Sequence, residues 1–207
     1  MTVYQQITRN KLIAILRGAA PSEVVRIATA LYEGGIRLLE ITMNSEAPLQ
    51  AIEQVADKLG DAMIIGAGTV LDAAHAADAV RAGARFILSP VVEERVIDAS
   101  KRLGAVSIPG AYTATEIYTA HKAGADIVKV FPANSPAYIK DLRAPLPHIP
   151  LLPTGGITPE NIGAYLKTGA VGFGIGSALV DTKQPVTDAY LETLKENARQ
   201  FVQAIQS

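Results

Sequence analysis

Four side chains able to do chemistry sit late in short apolar runs: Arg17 in "LIAILRG", Glu40 in "RLLEITMNS", Thr69 in "IIGAGTV" and Lys129 in "DIVKVFPA". Strand alternation sorts the residues of each run onto two faces. Ile127, Lys129 and Phe131 share one face, and Val128 and Val130 the other. Leu38, Glu40 and Thr42 lie opposite Leu39 and Ile41, Ile13, Ile15 and Arg17 share a further face, and Thr69 closes its strand. Lysines are rarely fully buried unless paired, so Lys129 asks for a reason. Burial penalises an ammonium, and a neutral amine can attack a ketone to form a Schiff base. The iminium withdraws electrons, so an adjacent C–C bond can break to leave an enamine. A carboxylate such as Glu40 can move the protons this requires. Arg17 offers a fork for a carboxylate and Thr69 a hydroxyl donor. Plainer readings stand beside these: a lysine at a strand end is most often a solvated rim residue, and Arg17 could simply pair with Glu40. All four falling late in apolar strands favours one shared cavity.

Two glycine-rich segments, "PTGGITPEN" and "GFGIGSALV", follow or contain the last two apolar runs. Glycines expose backbone N–H groups to an anion, so Gly155, Gly156, Gly176 and Ser177 are candidates to hold a phosphate. His75 and His121 fall in helical segments and His148 in "APLPHIP", positions that read as solvated. No H-x-H, H-E-x-x-H or acidic cluster with ligand spacing is present, so neither a metal nor another cofactor is expected.

The elements that must position these groups recur along the chain. A helix-like segment, then Gly, then a short apolar strand appears in "EGGIRLLEIT", "KLGDAMIIGAGT", "RAGARFILSP", "RLGAVSIPGA", "KAGADIVKVFPA" and "KTGAVGFGIGS". The spacing of about 20–25 residues suits one βα unit. With "KLIAILRG" and "IPLLPTGG" the total is roughly eight strands alternating with helices. The expected fold is therefore α/β, a single-domain TIM (β/α)8 barrel over residues 1–207. An open parallel sheet with extra strands is the competing reading. Gly suits the left-handed end of each helix. Thr113 and Glu116 have the spacing of a capping box, and Thr158-Pro159 reads as a cap followed by proline at the first helical position. "VTDAYLETLKENARQFVQAIQS" reads as an amphipathic C-terminal helix.

Composition narrows the functional classes. A hydrophobic fraction of 49% against 19% charged residues supplies a full core and argues against disorder. A net charge of -1 with no long basic run excludes an electrostatic nucleic-acid footprint. The absence of cysteine excludes disulfides, a thiolate nucleophile and a cysteine metal site. "LIAIL" is too short for a signal or membrane segment, so no membrane association and a cytoplasmic location are expected.

The ordered set "LLEIT", "IIGAGTVL", "FILSP", "IPG", "VKVFPA" and "PTGGI" resembles the 2-keto-3-deoxy-6-phosphogluconate (KDPG) and 4-hydroxy-2-oxoglutarate (KHG) aldolases, including the phosphogalactonate aldolases. The likeness runs from "IAILRG" to "GIGSALV". It implies a class I aldolase on a TIM barrel, typically a homotrimer. It implies that Lys129 forms the Schiff base with the pyruvyl unit and that Glu40 is the general acid/base. Thr69 would help hold the pyruvate carboxylate, Pro90 and Phe131 would line the pocket, and Thr154 would lie near the sugar-acid hydroxyls. Gly155, Gly156, Gly176 and Ser177 would hold the phosphate. Some relatives carry an arginine two positions after the strand threonine. Asn44 stands there in this chain, and Arg17 can fill that role. The resemblance implies cleavage of 2-keto-3-deoxy-6-phosphogluconate to pyruvate and glyceraldehyde 3-phosphate. The phosphogalactonate epimer and 4-hydroxy-2-oxoglutarate remain open, as does a non-aldolase isomerase or synthase on a phosphate-binding barrel.

Overall fold

The computed structural model describes residues 1–206, and Ser207, the last residue of the expected C-terminal helix, lies outside them. The chain is α/β. Six strands form a curled parallel sheet in the order β5 (Val106–Ile108), β4 (Phe86–Leu88), β3 (Ile64–Gly68), β2 (Leu38–Thr42), β1 (Leu12–Leu16) and β9 (Phe173–Ile175). A second parallel sheet follows the order β6 (Gly110–Ala111), β7 (Val128–Val130) and β8 (Leu151–Pro153). Nine strands stand where the sequence suggests eight, among the described residues, and they fall into two sheets. The physical reason is Pro109, which interrupts one apolar run. Ahead of it β5 pairs with β4, and beyond it β6 pairs with β7. A proline has no N–H to give to a ladder. Its carbonyl still accepts from Lys129 N at 2.9 Å, and Ile127 N reaches Ser107 O at 3.3 Å. At the other boundary a single parallel bridge joins Thr154 to Gly174, and Val171 N donates to Leu151 O at 3.0 Å.

Alternation along the strands sorts the buried side chains into two clusters. Ala14, Leu39, Ile41, Ile65, Ala67, Val128 and Val130 pack outward, beneath the helices. Ile13, Leu38, Phe86, Leu88, Ile108, Ile127 and Leu152 fill the inside of the curl. Ile7 of helix α1 (Val3–Asn10) joins the inner cluster with no exposed surface. The sequence reading did not anticipate α1. A capping box between Thr2 and Gln5 starts it, and Ile7 is its one fully buried side chain.

The expected capping box opens α6 (Ala114–Lys122), where Glu116 accepts from Thr113 N at 2.8 Å. Left-handed glycines end the corresponding segments at Gly35, Gly83, Gly104, Gly124 and Gly169, whereas Gly60 keeps φ -61. The expected helix start at Thr158-Pro159 is displaced. Those residues form a turn tied by Thr158 N to Asn161 Oδ1 at 2.9 Å, and the short α8 runs from Ile162 to Leu166. The C-terminal helix α9 spans Asp188–Ala204, capped by Thr187, and packs on α2 (Val24–Glu33). Close packing there needs Gly34: a Cβ on it would stand 2.5 Å from that of Ala198.

Candidate active site

Glu40 lies in the middle of β2 and Lys129 in the middle of β7. Both are buried, at 1% and 7% exposure. Lys129 lines the cavity and the Glu40 side chain lies against the inner face of β3, so the inward orientation expected from alternation holds for the pair. Phe131, just past the end of β7, is 48% exposed at the cavity rim, and Lys129 Nζ lies over its ring, 5.5 Å from the centroid. Neither Glu40 oxygen has a hydrogen-bond partner among the described residues. A buried polar atom without a partner is costly, and a catalytic role is one of the reasons such an exception is kept. Burial pushes the Glu40 carboxyl above the usual carboxylate range, and the positive charges of Lys129 and Arg17 pull part of the way back. Arg17 follows β1, is exposed, and makes no ion pair with Glu40 at salt-bridge distance. The plain pairing of those two residues is thereby set aside.

Thr69 follows β3 with φ 57, a left-handed backbone that is unusual for a β-branched residue. Such strain persists where surrounding structure imposes it, and it clusters at functional sites. Thr154 follows β8. It is 4% exposed, and its Oγ1 has no partner among the described residues. It packs so closely on β9 that a Cβ on Gly174 would stand 2.4 Å from Oγ1.

Arg17, Thr69, Pro90, Lys129, Phe131, Thr154, Gly155, Gly156, Gly176 and Ser177 all line one cavity of about 660 Å³, the range of small-ligand sites. Glu40 lies behind that lining, fully buried, within the reach of charge from Lys129 and Arg17. Gly155 and Gly156 adopt φ 90 and 70, which a side chain would strain. Asn161 braces their loop by donating from Nδ2 to Gly156 O at 2.8 Å. A Cβ on Gly176 would meet nothing within 4 Å, so that backbone lies open to a ligand.

The sequence reading missed the segment after β9. Asp181, Thr182 and Lys183 also line the cavity. Thr182 Oγ1 donates to Arg17 O at 2.6 Å, and Asp181 Oδ1 accepts from Lys183 N at 3.1 Å. Asp181 adds a carboxylate to this mouth, which opposes an anion, while Lys183 adds an ammonium. No periodic pattern marks the loop, so only its place after the last strand could have pointed to it. A larger cleft of about 790 Å³, lined by Arg9, Arg37 and Arg85 beside α1, holds none of the candidate residues.

Comparison with known proteins follows the same lines. The profile of the KDPG and KHG aldolase family matches residues 3–193. The chain is 38% identical over 200 residues to the 2-dehydro-3-deoxy-6-phosphogalactonate aldolase of Escherichia coli (strain K12), covering 95% of each chain. It superposes on a solved structure described as native KDPGal with a TM-score of 0.88, 38% identity and 94% of each chain covered. It superposes on the KDPG aldolase of Legionella pneumophila, holding pyruvate as a covalent carbinolamine, with a TM-score of 0.79 and 26% identity. That match covers 99% of this chain and 96% of the other.

Proposed function

The chain belongs to the KDPG and KHG aldolase family and is a lyase of the aldolase type, and we propose that it cleaves a 2-keto-3-deoxy-6-phospho sugar acid through a Schiff base on Lys129. The observation that carries this reading is the buried pair on two strands: an amine that lines the cavity and, behind it, a carboxyl with no hydrogen-bond partner among the described residues. Lys129 Nζ attacks the C2 ketone. The carbinolamine loses water to give an iminium. Glu40 takes the proton of the C4 hydroxyl, directly or through water, and the C3–C4 bond breaks. Its electron pair moves into the iminium, leaving an enamine and glyceraldehyde 3-phosphate. Glu40 returns the proton to C3, and hydrolysis releases pyruvate and the free amine. The carboxyl suits this double duty because burial raises its proton affinity while two cations keep the ionised form accessible.

Within this proposal Arg17 and Thr69 hold the pyruvyl carboxylate, Pro90 and Phe131 wall the pocket, and Thr154 meets the sugar-acid hydroxyls. Gly155, Gly156, Gly176 and Ser177 take the phosphate. The resemblance in the sequence puts the gluconate epimer first. The full-length likeness to a phosphogalactonate aldolase supports the galactonate epimer instead. The two sheets are read as one closed (β/α)8 barrel, supported by the bonds across Pro109 and the Thr154–Gly174 bridge. A single domain, a homotrimer and a cytoplasmic location belong to the same proposal. Among the described residues no helix is long and apolar enough to cross a membrane.

The test is incubation with pyruvate and borohydride, followed by peptide mapping. A pyruvyl adduct on Lys129, absent in Lys129→Ala, is the expected result. No adduct on the wild-type chain removes the mechanism and favours an isomerase or synthase. Parallel assay of the two epimeric phospho sugar acids and of 4-hydroxy-2-oxoglutarate settles the substrate.

A further inference from the structure

We infer that Gly68 is a positioning residue for the proposed acid/base: the side chain it lacks is the space the Glu40 carboxyl occupies. Parallel pairing sets Glu40 beside Gly66 and Thr42 beside Gly68. The Glu40 side chain therefore runs along the pleat toward the C-terminal end of β3. A Cβ on Gly68 would stand 1.7 Å from Glu40 Oε1, 2.4 Å from Cδ and 2.7 Å from Cγ. These three nearest atoms all belong to Glu40, so the clash is with that side chain first. Gly68 does not have the left-handed φ of the turn glycines, so conformation does not demand a glycine there. Crowding does.

Gly66, two residues earlier on the same face, performs the complementary task. A Cβ there would stand 2.2 Å from Cε2 of Phe86, which has no exposed surface. The ring fills the inside of the curl beside Gly66, and the carboxyl lies one pleat further up, against Gly68. The alternate residues Ile65 and Ala67 point outward into the helix-facing core. The "GAG" of β3 thus builds a slot with an aromatic floor and a polar occupant. An alanine at Gly68 must push the carboxyl out of the slot, away from the place where it feels the charge of Lys129 and into the wetter cavity.

This inference rests on the proposed function, and the experiment separates the two. Borohydride trapping of pyruvate on the wild-type chain tests the function. Gly68→Ala is then assayed for exchange of the pyruvate methyl protons in D2O, a reaction needing the amine and the acid/base but no aldehyde. Exchange should fall by about 100-fold, the scale of an ångström's misplacement of a reacting group, while the Lys129 adduct still accumulates. The acid limb of the exchange profile should move to lower pH as the carboxyl meets water. Exchange within about threefold of wild type, with an unmoved profile, overturns the inference. The contact itself is read by thermal midpoints in two backgrounds, whether or not Gly68→Ala retains activity. Gly68→Ala should lower the midpoint of the wild-type chain and lower it far less in a Glu40→Ala background. Equal losses in both backgrounds place the clash elsewhere and overturn the inference. If the wild-type chain traps no pyruvate, the function falls and these midpoints alone decide the contact.

Discussion

Glu40→Gln should make the protein more stable as it makes it inactive, by a margin that grows with pH. The substitution keeps the shape of the side chain and removes its ionisation. In the folded chain both carboxyl oxygens are buried with no partner among the described residues, and burial is the largest influence on the group, outweighing the attraction of Lys129 and Arg17. Folding therefore raises its proton affinity above that of the unfolded chain. At low pH both states are protonated and the wild-type chain carries no ionisation penalty. As pH rises past the ordinary carboxylate value of 4.5, the unfolded chain loses its proton while the folded chain retains it, and stability falls. Above the raised folded value the penalty is constant. Each tenfold by which folding raises the proton affinity of Glu40 is worth about 1.4 kcal/mol at the plateau. For a chain of this size each kcal/mol moves the midpoint by roughly 2–4 °C, so each such tenfold adds roughly 3–5 °C. The assay is calorimetric unfolding of both proteins from pH 4 to 9. Parallel midpoints across that range, or a less stable variant at pH 8, would refute the claim that the wild-type carboxyl is desolvated and unpaired. Turnover of the same variant should fall by about 10²–10⁴-fold with pyruvate binding retained.

Three further outcomes follow from the same geometry. Thr69→Gly relieves a left-handed threonine, so unfolding should need roughly 1 kcal/mol more while the Kd for pyruvate rises, both measurable by denaturant titration and calorimetric binding. Lys183→Ala should raise KM for the phosphorylated substrate by about 1.5- to 5-fold, the worth of an exposed ion pair, and leave KM for 4-hydroxy-2-oxoglutarate unchanged. Tyr165→Phe removes the donor that the buried tyrosine on α8 gives to Ala133 O. It should cost about 1–3 kcal/mol in equilibrium unfolding.

Much of this site is legible in the sequence because strands repeat every two residues. Val128 and Val130 go to the helix layer and Ile127 inward, as alternation in "DIVKVFPA" requires, and Lys129 is carried inward with Ile127. The same rule places Glu40 between outward Leu39 and Ile41. Features that depend on contacts distant in sequence are not legible. Nothing in "IIGAGTV" says that its second glycine faces a carboxyl rather than ending a turn. Pro109 reads as part of one strand until the two ladders show that it divides them. Helix α1 is short and buries a single residue completely, too little for a periodic signal. Lys183 reaches the cavity because Thr182 is tied to a carbonyl 165 residues away in sequence, which no local pattern encodes.

The break at Pro109 has a mechanical side. Glu40 belongs to the six-stranded sheet and Lys129 to the three-stranded one. Their separation is therefore not fixed by one unbroken ladder. It is set at two joints: on one side the turn of chain at Pro109 with the bond from Ile127 N to Ser107 O, two residues before Lys129, and on the other the Thr154–Gly174 bridge with the bond from Val171 N to Leu151 O. Thr154 and Gly174 of the second joint line the cavity. A ligand gripped by both Thr154 and Ser177 would act as a rivet across it. The spacing of amine and carboxyl thus depends on what spans these joints as well as on the ladders within each sheet.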